Sequence, residues 1–208
     1  MAPDRVGRLT YEHVNCAVIV AHPDDETLWA GGTLLMHPDS DWTVVALTHK
    51  NDADRGDRFR KALEHYGAAG AMSDLDDGPE QKPLRTVDVE DAIVDLLPSS
   101  HYDLILTHGL WGEYTRDKRH EEVAKAVMAL RDSQRISTGE IWMFAYEDDG
   151  GKHLPRAVES ADAYIHLPKD IWEHKHQIVT DVYGYAPDSF EATAAPRDEA
   201  FWVIGKRK

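Results

Sequence analysis

Six consecutive residues carry the densest chemistry in this chain: Ala21-His22-Pro23-Asp24-Asp25-Glu26. Three successive carboxylates beside an imidazole repel one another if they converge, and a divalent cation is the natural counterweight. Imidazole with carboxylate suits zinc, whose catalytic sites use three protein ligands and keep a fourth position for water. Pro23 restrains the turn, so His22 and Asp25 can face one side while Asp24 faces another. Adjacent aspartates can then divide the work, one as ligand and one as base. A plainer reading is that Asp24, Asp25 and Glu26 favour the N-terminus of a following helix. That suffices for any one acid. The whole string arises by chance on the order of once in ten thousand chains of this size, or more rarely.

A second cluster runs Thr107-His108-Gly109-Leu110-Trp111-Gly112-Glu113-Tyr114-Thr115-Arg116-Asp117-Lys118-Arg119-His120-Glu121-Glu122. His120 opens an amphipathic run and follows a loop long enough to fold back. Standing alone, it would be read as an exposed histidine at a helix start. The plain reading of Asp117 is a helix N-cap. His166, His174 and His176 are assigned no role. The six tryptophans belong mostly to a core, with Trp111 the exception because it lies inside the cluster.

The elements that must position these residues follow from apolar periodicity. Residues 14–20, 43–48, 102–107 and 141–146 read as strands, with shorter candidates at 163–167 and 201–204. Helical patterns fill 26–36, 55–66 (ended by Gly67), 87–97 (stopped by Pro98), 121–131 and 170–183, the last carrying Lys175 and His176. Gly31 and Gly32 allow close packing of the first helix. Four strands separated by helices predict an α/β fold: a Rossmann-like, doubly wound, mostly parallel sheet flanked by helices. Ligands of such sheets bind outside the carboxyl ends of the strands. The polar clusters at 22–26, 49–54, 108–120 and 146–149 each follow one of the four strands, so loops at one edge are expected to share a pocket.

Composition sets outer bounds. The 208 residues suit a single domain, with a metal-site core at about 14–130 and a C-terminal part at about 140–208 completing the fold. Acidic residues number 38 against 23 basic, for a net charge of -15, which argues against nucleic acid or an anionic membrane as partner. The single cysteine, Cys16, sits in an apolar run and reads as a small buried hydrophobe. Residues 1–13 lack the apolar core of a signal peptide, and no stretch approaches the roughly 18 apolar residues that span a bilayer. A cytoplasmic enzyme is expected; a homo-oligomer is compatible with the sequence.

The first string and the second cluster together resemble the PIG-L/LmbE-like de-N-acetylases, over about residues 14–129. The resemblance implies a Rossmann-like sheet with one zinc ion per chain. It implies zinc ligands at His22, Asp25 and His120, and a general base at Asp24. It also implies hydrolysis of an N-acyl group, acetyl above all, from an amino sugar or its conjugate. Substrate contacts are expected from Arg55, Glu26, Trp111 and Tyr114, although a surface salt bridge explains Arg55 equally well and Glu26 can instead orient a ligand or cap the helix. One departure stands out. The family has a histidine three places before its last ligand, where it helps stabilise the tetrahedral intermediate or protonate the leaving amine, and this chain has Asp117. An ionised aspartate donates no hydrogen bond. Asp117 and Arg116 are therefore candidate catalytic residues, with Arg116 supplying positive charge; His108 or His49 could instead replace the missing ring, or activity could be weak or altered.

Other functions compete. A nicotinamide-binding enzyme is disfavoured because no Gly-x-Gly-x-x-Gly follows the first strand, and three carboxylates there would repel a pyrophosphate. A magnesium phosphohydrolase with Asp24 as nucleophile would have little use for histidine. A metal-dependent sugar-binding protein with weak or no catalysis, and a deacylase of a non-sugar amide, remain as alternatives.

Overall fold

The computed structural model describes residues 14–114 and 117–205. In chain order the elements are β1 (Asn15–Val20), α1 (Asp25–Met36), β2 (Asp41–Ala46), α2 (Ala53–Tyr66), β3 (Ala69–Met72), α3 (Thr86–Leu96), β4 (His101–Thr107) and α4 (Lys118–Asp132). They continue with β5 (Ser137–Phe144), β6 (Tyr146–Glu147), β7 (Arg156–Ala157), β8 (Ala163–His166), α5 (Lys169–Gln177), α6 (Phe190–Ala194) and β9 (Asp198–Gly205). Seven strands form one sheet in the order β3-β2-β1-β4-β5-β9-β8. The first five run parallel, and β9 and β8 extend the edge in antiparallel pairing. The expected mostly parallel, helix-flanked sheet is what forms.

β1 is central and covered on both sides, which is why it reads as an unbroken apolar run and not as an alternation. Cys16, Val18 and Val20 face a core that includes Leu28, Trp29 and Leu34 of α1 and Phe59, Leu63 and Tyr66 of α2. Ala17 and Ile19 face the opposite core, with Val89 and Ile93 of α3 and Val123, Val127 and Leu130 of α4. Cys16 is buried, and burial, with the charges of Asp103 and Asp41, pushes its thiol up to about 12; it packs and does not react. Among the described residues no helix is long and apolar enough to cross a membrane.

Several elements depart from the sequence expectation. β3 is an Ala-Gly-Ala-Met strand, too small-sided to announce itself; its Gly70 is where a Cβ would meet the Val44 carbonyl oxygen at 2.4 Å. The helix expected over 170–183 stops at Gln177 and gives way to a single π-helical turn, Ile178–Val182. The short helix α6 has too few turns to show a period.

α1 carries Asp25 into the site, and a buried ion pair holds that helix. The Glu199 carboxylate of β9 accepts from Lys175 Nζ of α5 at 2.8 Å, from the Gly32 and Thr33 N–H groups of α1 at 2.8 Å each, and from Thr33 Oγ1 at 2.6 Å. Neither Lys175 nor Glu199 is exposed. Gly32 lets α5 come close: a Cβ there would lie 2.4 Å from Leu167 on the segment leading into it. Lys175→Met is expected to lower unfolding stability by about 3–5 kcal/mol, because it leaves a carboxylate buried without its counter-charge. Urea denaturation measures this, and a loss below about 1 kcal/mol would show that the backbone donors alone satisfy Glu199.

Candidate metal centre

β1 and β4 are neighbours, with Ile19 opposite Thr107, and the sheet order turns between them: β2 and β3 lie to one side and β5 to the other. The loops leaving these two strands therefore open a crevice at one edge. Three hydrogen bonds tie its walls. The Ala21 N–H donates to His108 Nε2 at 2.9 Å, Thr107 Oγ1 to the Ile19 carbonyl at 2.8 Å, and Thr48 Oγ1 to the Ala21 carbonyl at 2.9 Å.

His22, Asp25 and His120 meet in this crevice. His22 Nδ1 lies 3.1 Å from Asp25 Oδ2 and 3.2 Å from His120 Nε2, and His120 Nε2 lies 3.4 Å from Asp25 Oδ2. A tetrahedral zinc ion with bonds of about 2.0–2.1 Å has ligand-to-ligand edges of about 3.3–3.4 Å. The triangle fits such an ion with almost no adjustment. The outer nitrogens of both rings are also engaged: His22 Nε2 faces Asp77 Oδ2 at 3.1 Å, and His120 Nδ1 faces Glu113 Oε2 at 2.6 Å. A carboxylate that takes the proton of one imidazole nitrogen leaves the other nitrogen's lone pair for a metal.

Glu113 serves two rings, since His108 Nδ1 lies 2.9 Å from the same oxygen, and its other oxygen accepts the Gly109 N–H at 2.7 Å. His108 stacks on His120 with ring centroids 3.8 Å apart and is fully buried. His108 Nε2 accepts the Ala21 N–H, and its Nδ1 faces Glu113. This arrangement makes His108 a brace between the two loops and fixes the plane of His120.

Charge sorts the carboxylates. Burial works to raise Asp25, but the charges of His120, His108 and His22 overcome it and hold Asp25 well below the usual carboxylate range. Glu113 is likewise held down, at about 2, by His108 and His120 against its burial. Burial works to lower His22, yet Asp25 and the hydrogen bond to Asp77 push it up to about 10; His120 is raised by Asp25 and Glu113 in the same way. Asp24 goes the opposite way from its neighbour. Burial, and then the charge of Asp25, raise it. Two adjacent aspartates thus have opposite acidities, the pattern that separates acid–base work from ligation.

Asp24 stands outside the triangle. Its φ of 146° is a positive value that only glycine adopts comfortably, at a cost of about 1–3 kcal/mol. Two groups hold it there: Glu26 Oε2 accepts its N–H at 3.1 Å, and the Tyr185 hydroxyl donates to its Oδ2. Glu26 has no exposed surface, and its other oxygen accepts from Tyr183 and Thr27, each at 2.6 Å. Glu26 lies beneath the loop and braces Asp24, because three internal donors draw its carboxylate inward.

The structure describes all but one of the other expected residues. Asp117 caps α4, its Oδ1 accepting the N–H groups of Arg119 at 2.8 Å and His120 at 3.3 Å. Arg116 lies outside the described residues. Tyr114 is half-buried, edge-on to His120 at 5.6 Å, and contacts Phe190 at 5.2 Å. Trp111 is 70% exposed on the loop after β4. Arg55, in the first turn of α2, is 3.8 Å from Asp52, and its charge acts on both His49 and Tyr185. His49 shares Asp77 Oδ2 at 3.2 Å. From the loop after β5, the Tyr146 hydroxyl donates to the Trp29 carbonyl at 2.7 Å, and the Trp29 indole in turn donates to Asp25 Oδ1 at 3.1 Å.

The sequence pattern of the PIG-L family, GlcNAc-PI de-N-acetylase, matches residues 17–131, more than half of the chain. A relative from Acanthamoeba polyphaga mimivirus, the uncharacterized protein L374, is 23% identical over 184 residues, covering 77% of this chain and 78% of that one. Among solved structures, GalB, the 4-carboxy-2-hydroxymuconate hydratase from Pseudomonas putida KT2440, superposes with a TM-score of 0.63 at 14% identity, covering 93% of this chain and 98% of that one. The zinc-inhibited form of teicoplanin deacetylase Orf2 superposes with a TM-score of 0.62 at 13% identity, covering 93% and 99%. At these identities the two structures share the fold.

The raised histidines mean that a metal must displace protons to bind at pH 7. Zinc binding is expected to release at least one proton from the pair of imidazoles, read by calorimetry in buffers of different ionisation enthalpy. Glu113→Gln is expected to weaken zinc binding by about 10- to 100-fold in a chelator competition. Unchanged affinity in that variant would remove the bracing role of Glu113.

Proposed function

The chain belongs to the GlcNAc-PI de-N-acetylase family, and from that premise we propose that it is a zinc-dependent hydrolase that removes an N-acetyl group from an amino sugar or its conjugate. The observation that carries this reading is the triangle of His22, Asp25 and His120 with Asp24 beside it. A zinc ion held by those three residues would supply Lewis acidity toward the acyl carbonyl and toward a water molecule.

Asp24 is the base. Its raised affinity for protons lets it take one from the attacking water, keep it while the carbonyl carbon becomes tetrahedral, and return it to the departing nitrogen. The carbon–nitrogen bond breaks, and the products are a carboxylate and a free amine. Asp25 stays ionised throughout, as a ligand must. Glu113 and Asp77 keep the two rings turned inward, and Asp117 serves as the cap that aims the start of α4, including His120. Arg55, Trp111 and Tyr114 form the rim, where a sugar ring has one cation and two aromatic faces to meet.

Asp117, standing where the family resemblance implies a histidine, favours one other reading: a metal-dependent sugar-binding protein with little turnover. Amine release separates the two. Zinc-loaded protein is expected to liberate free amine from at least one N-acetylglucosamine conjugate in a fluorogenic amine assay. Asp24→Asn is expected to keep one zinc per chain while kcat falls by about 10²- to 10⁴-fold, whereas His22→Ala loses the metal. Full zinc occupancy without amine from any N-acyl substrate would overturn the hydrolase, and undiminished turnover in Asp24→Asn would overturn its base.

A further inference from the structure

Two phenols reach the carboxylate string from far downstream. Tyr183 and Tyr185 lie 157 and 161 residues beyond their partners Glu26 and Asp24. Their delivery depends on a specific corner. After α5 the chain makes its π-helical turn, a feature that often marks functional sites. The Tyr183 N–H closes that turn on the Ile178 carbonyl at 2.9 Å, and the Tyr185 N–H returns to Val179 at 3.3 Å. Gly184 between them has φ +76°, and a Cβ there would lie 2.0 Å from the Arg58 guanidinium. Arg58 of α2 donates to the Tyr183 carbonyl and pairs with Asp54 at 2.8 Å, so the corner is anchored to a second helix.

The two rings divide their tasks. Tyr183 acts on Glu26, which holds the backbone N–H of Asp24. Tyr185 acts on the Asp24 side chain directly, through Oδ2. Among the described residues no hydrogen bond is made to Asp24 Oδ1. Burial and the charge of Asp24 keep the Tyr185 phenol protonated, so it remains a donor.

We propose that Tyr185 is a positioning residue for hydrolysis: its O–H clamps one oxygen of Asp24 and leaves the other aimed at the attacking water. The inference rests on the hydrolase reading for its kinetic consequence, but the clamp itself is a contact between two side chains and is measurable without substrate. A free carboxylate at Asp24 would rotate about its terminal torsion and spend part of its time misdirected, and small misplacements of a reacting group cost rate more than binding.

The test is a double-mutant cycle of Tyr185→Phe and Asp24→Asn. In the parent chain, Tyr185→Phe is expected to lower kcat by about 10- to 100-fold with KM within about threefold and zinc content unchanged. In the Asp24→Asn background the same change is expected to alter kcat by less than about twofold, because the group it aims is gone. Equal losses in both backgrounds, or no loss in the parent, would overturn the proposal. The cycle is also run on thermal melting. Non-additive shifts are expected from two side chains in contact, and strictly additive shifts would overturn the clamp even if no substrate is turned over. Failure of the parent enzyme on every N-acyl compound would instead fall on the hydrolase assignment.

Discussion

Three adjacent carboxylates sit in the interior of this protein, and their mutual repulsion is the constraint around which the site is built. Each is given a different environment. Asp25 is surrounded by imidazoles and a tryptophan N–H. Glu26 is turned beneath the loop onto two hydroxyls and a backbone amide. Asp24 faces a phenol. Without that separation, each carboxylate would raise the pKa of the others, and none would keep a defined protonation state. The sheet topology makes the separation possible, because the loop after β1 receives partners from two directions: rings from the loop after β4 on one side, phenols from the segment after α5 on the other.

The supports of the centre are themselves charged and buried. His108 and Glu113 have no exposed surface, and Arg119 has almost none. The Arg119 guanidinium reaches the carbonyls of Asp76 at 2.6 Å and Lys82 at 2.8 Å, gripping the segment that brings Asp77 to His22. On the far side of α1, Glu199 and Lys175 do comparable work. Among the described residues only Asp77 Oδ1 is a buried side-chain atom without a hydrogen-bond partner, and a polar frame so nearly satisfied specifies one geometry more sharply than apolar packing does.

Much of this was legible in the residues. The continuous apolar runs of β1 and β4 marked central parallel strands, and the polar strings after them fell where such sheets bind ligands. The Ala-His-Pro-Asp-Asp-Glu string carried the chemistry because so many ionisable groups in six positions need a common purpose. His108 and Glu113 lay in plain view inside the second cluster, yet nothing in spacing separates a bracing ring from a ligating one. Asp77 was hidden in a run of acids that reads as a solvated surface. Tyr183 and Tyr185 were hidden more deeply: their segment continues a helical pattern, and the π-helical turn that re-aims them is a small change in winding that periodicity does not record. Asp117 caps a helix, which is its plain reading in the sequence and the commonest task for an aspartate at that place.

The backbone of Asp24 has a consequence for how this protein would age under selection. Its positive φ suits glycine, and glycine has no carboxylate. Endurance and turnover therefore pull against each other at a single codon. A lineage chosen only for resistance to heat would be expected to exchange this aspartate early, keeping its fold while losing the proposed base.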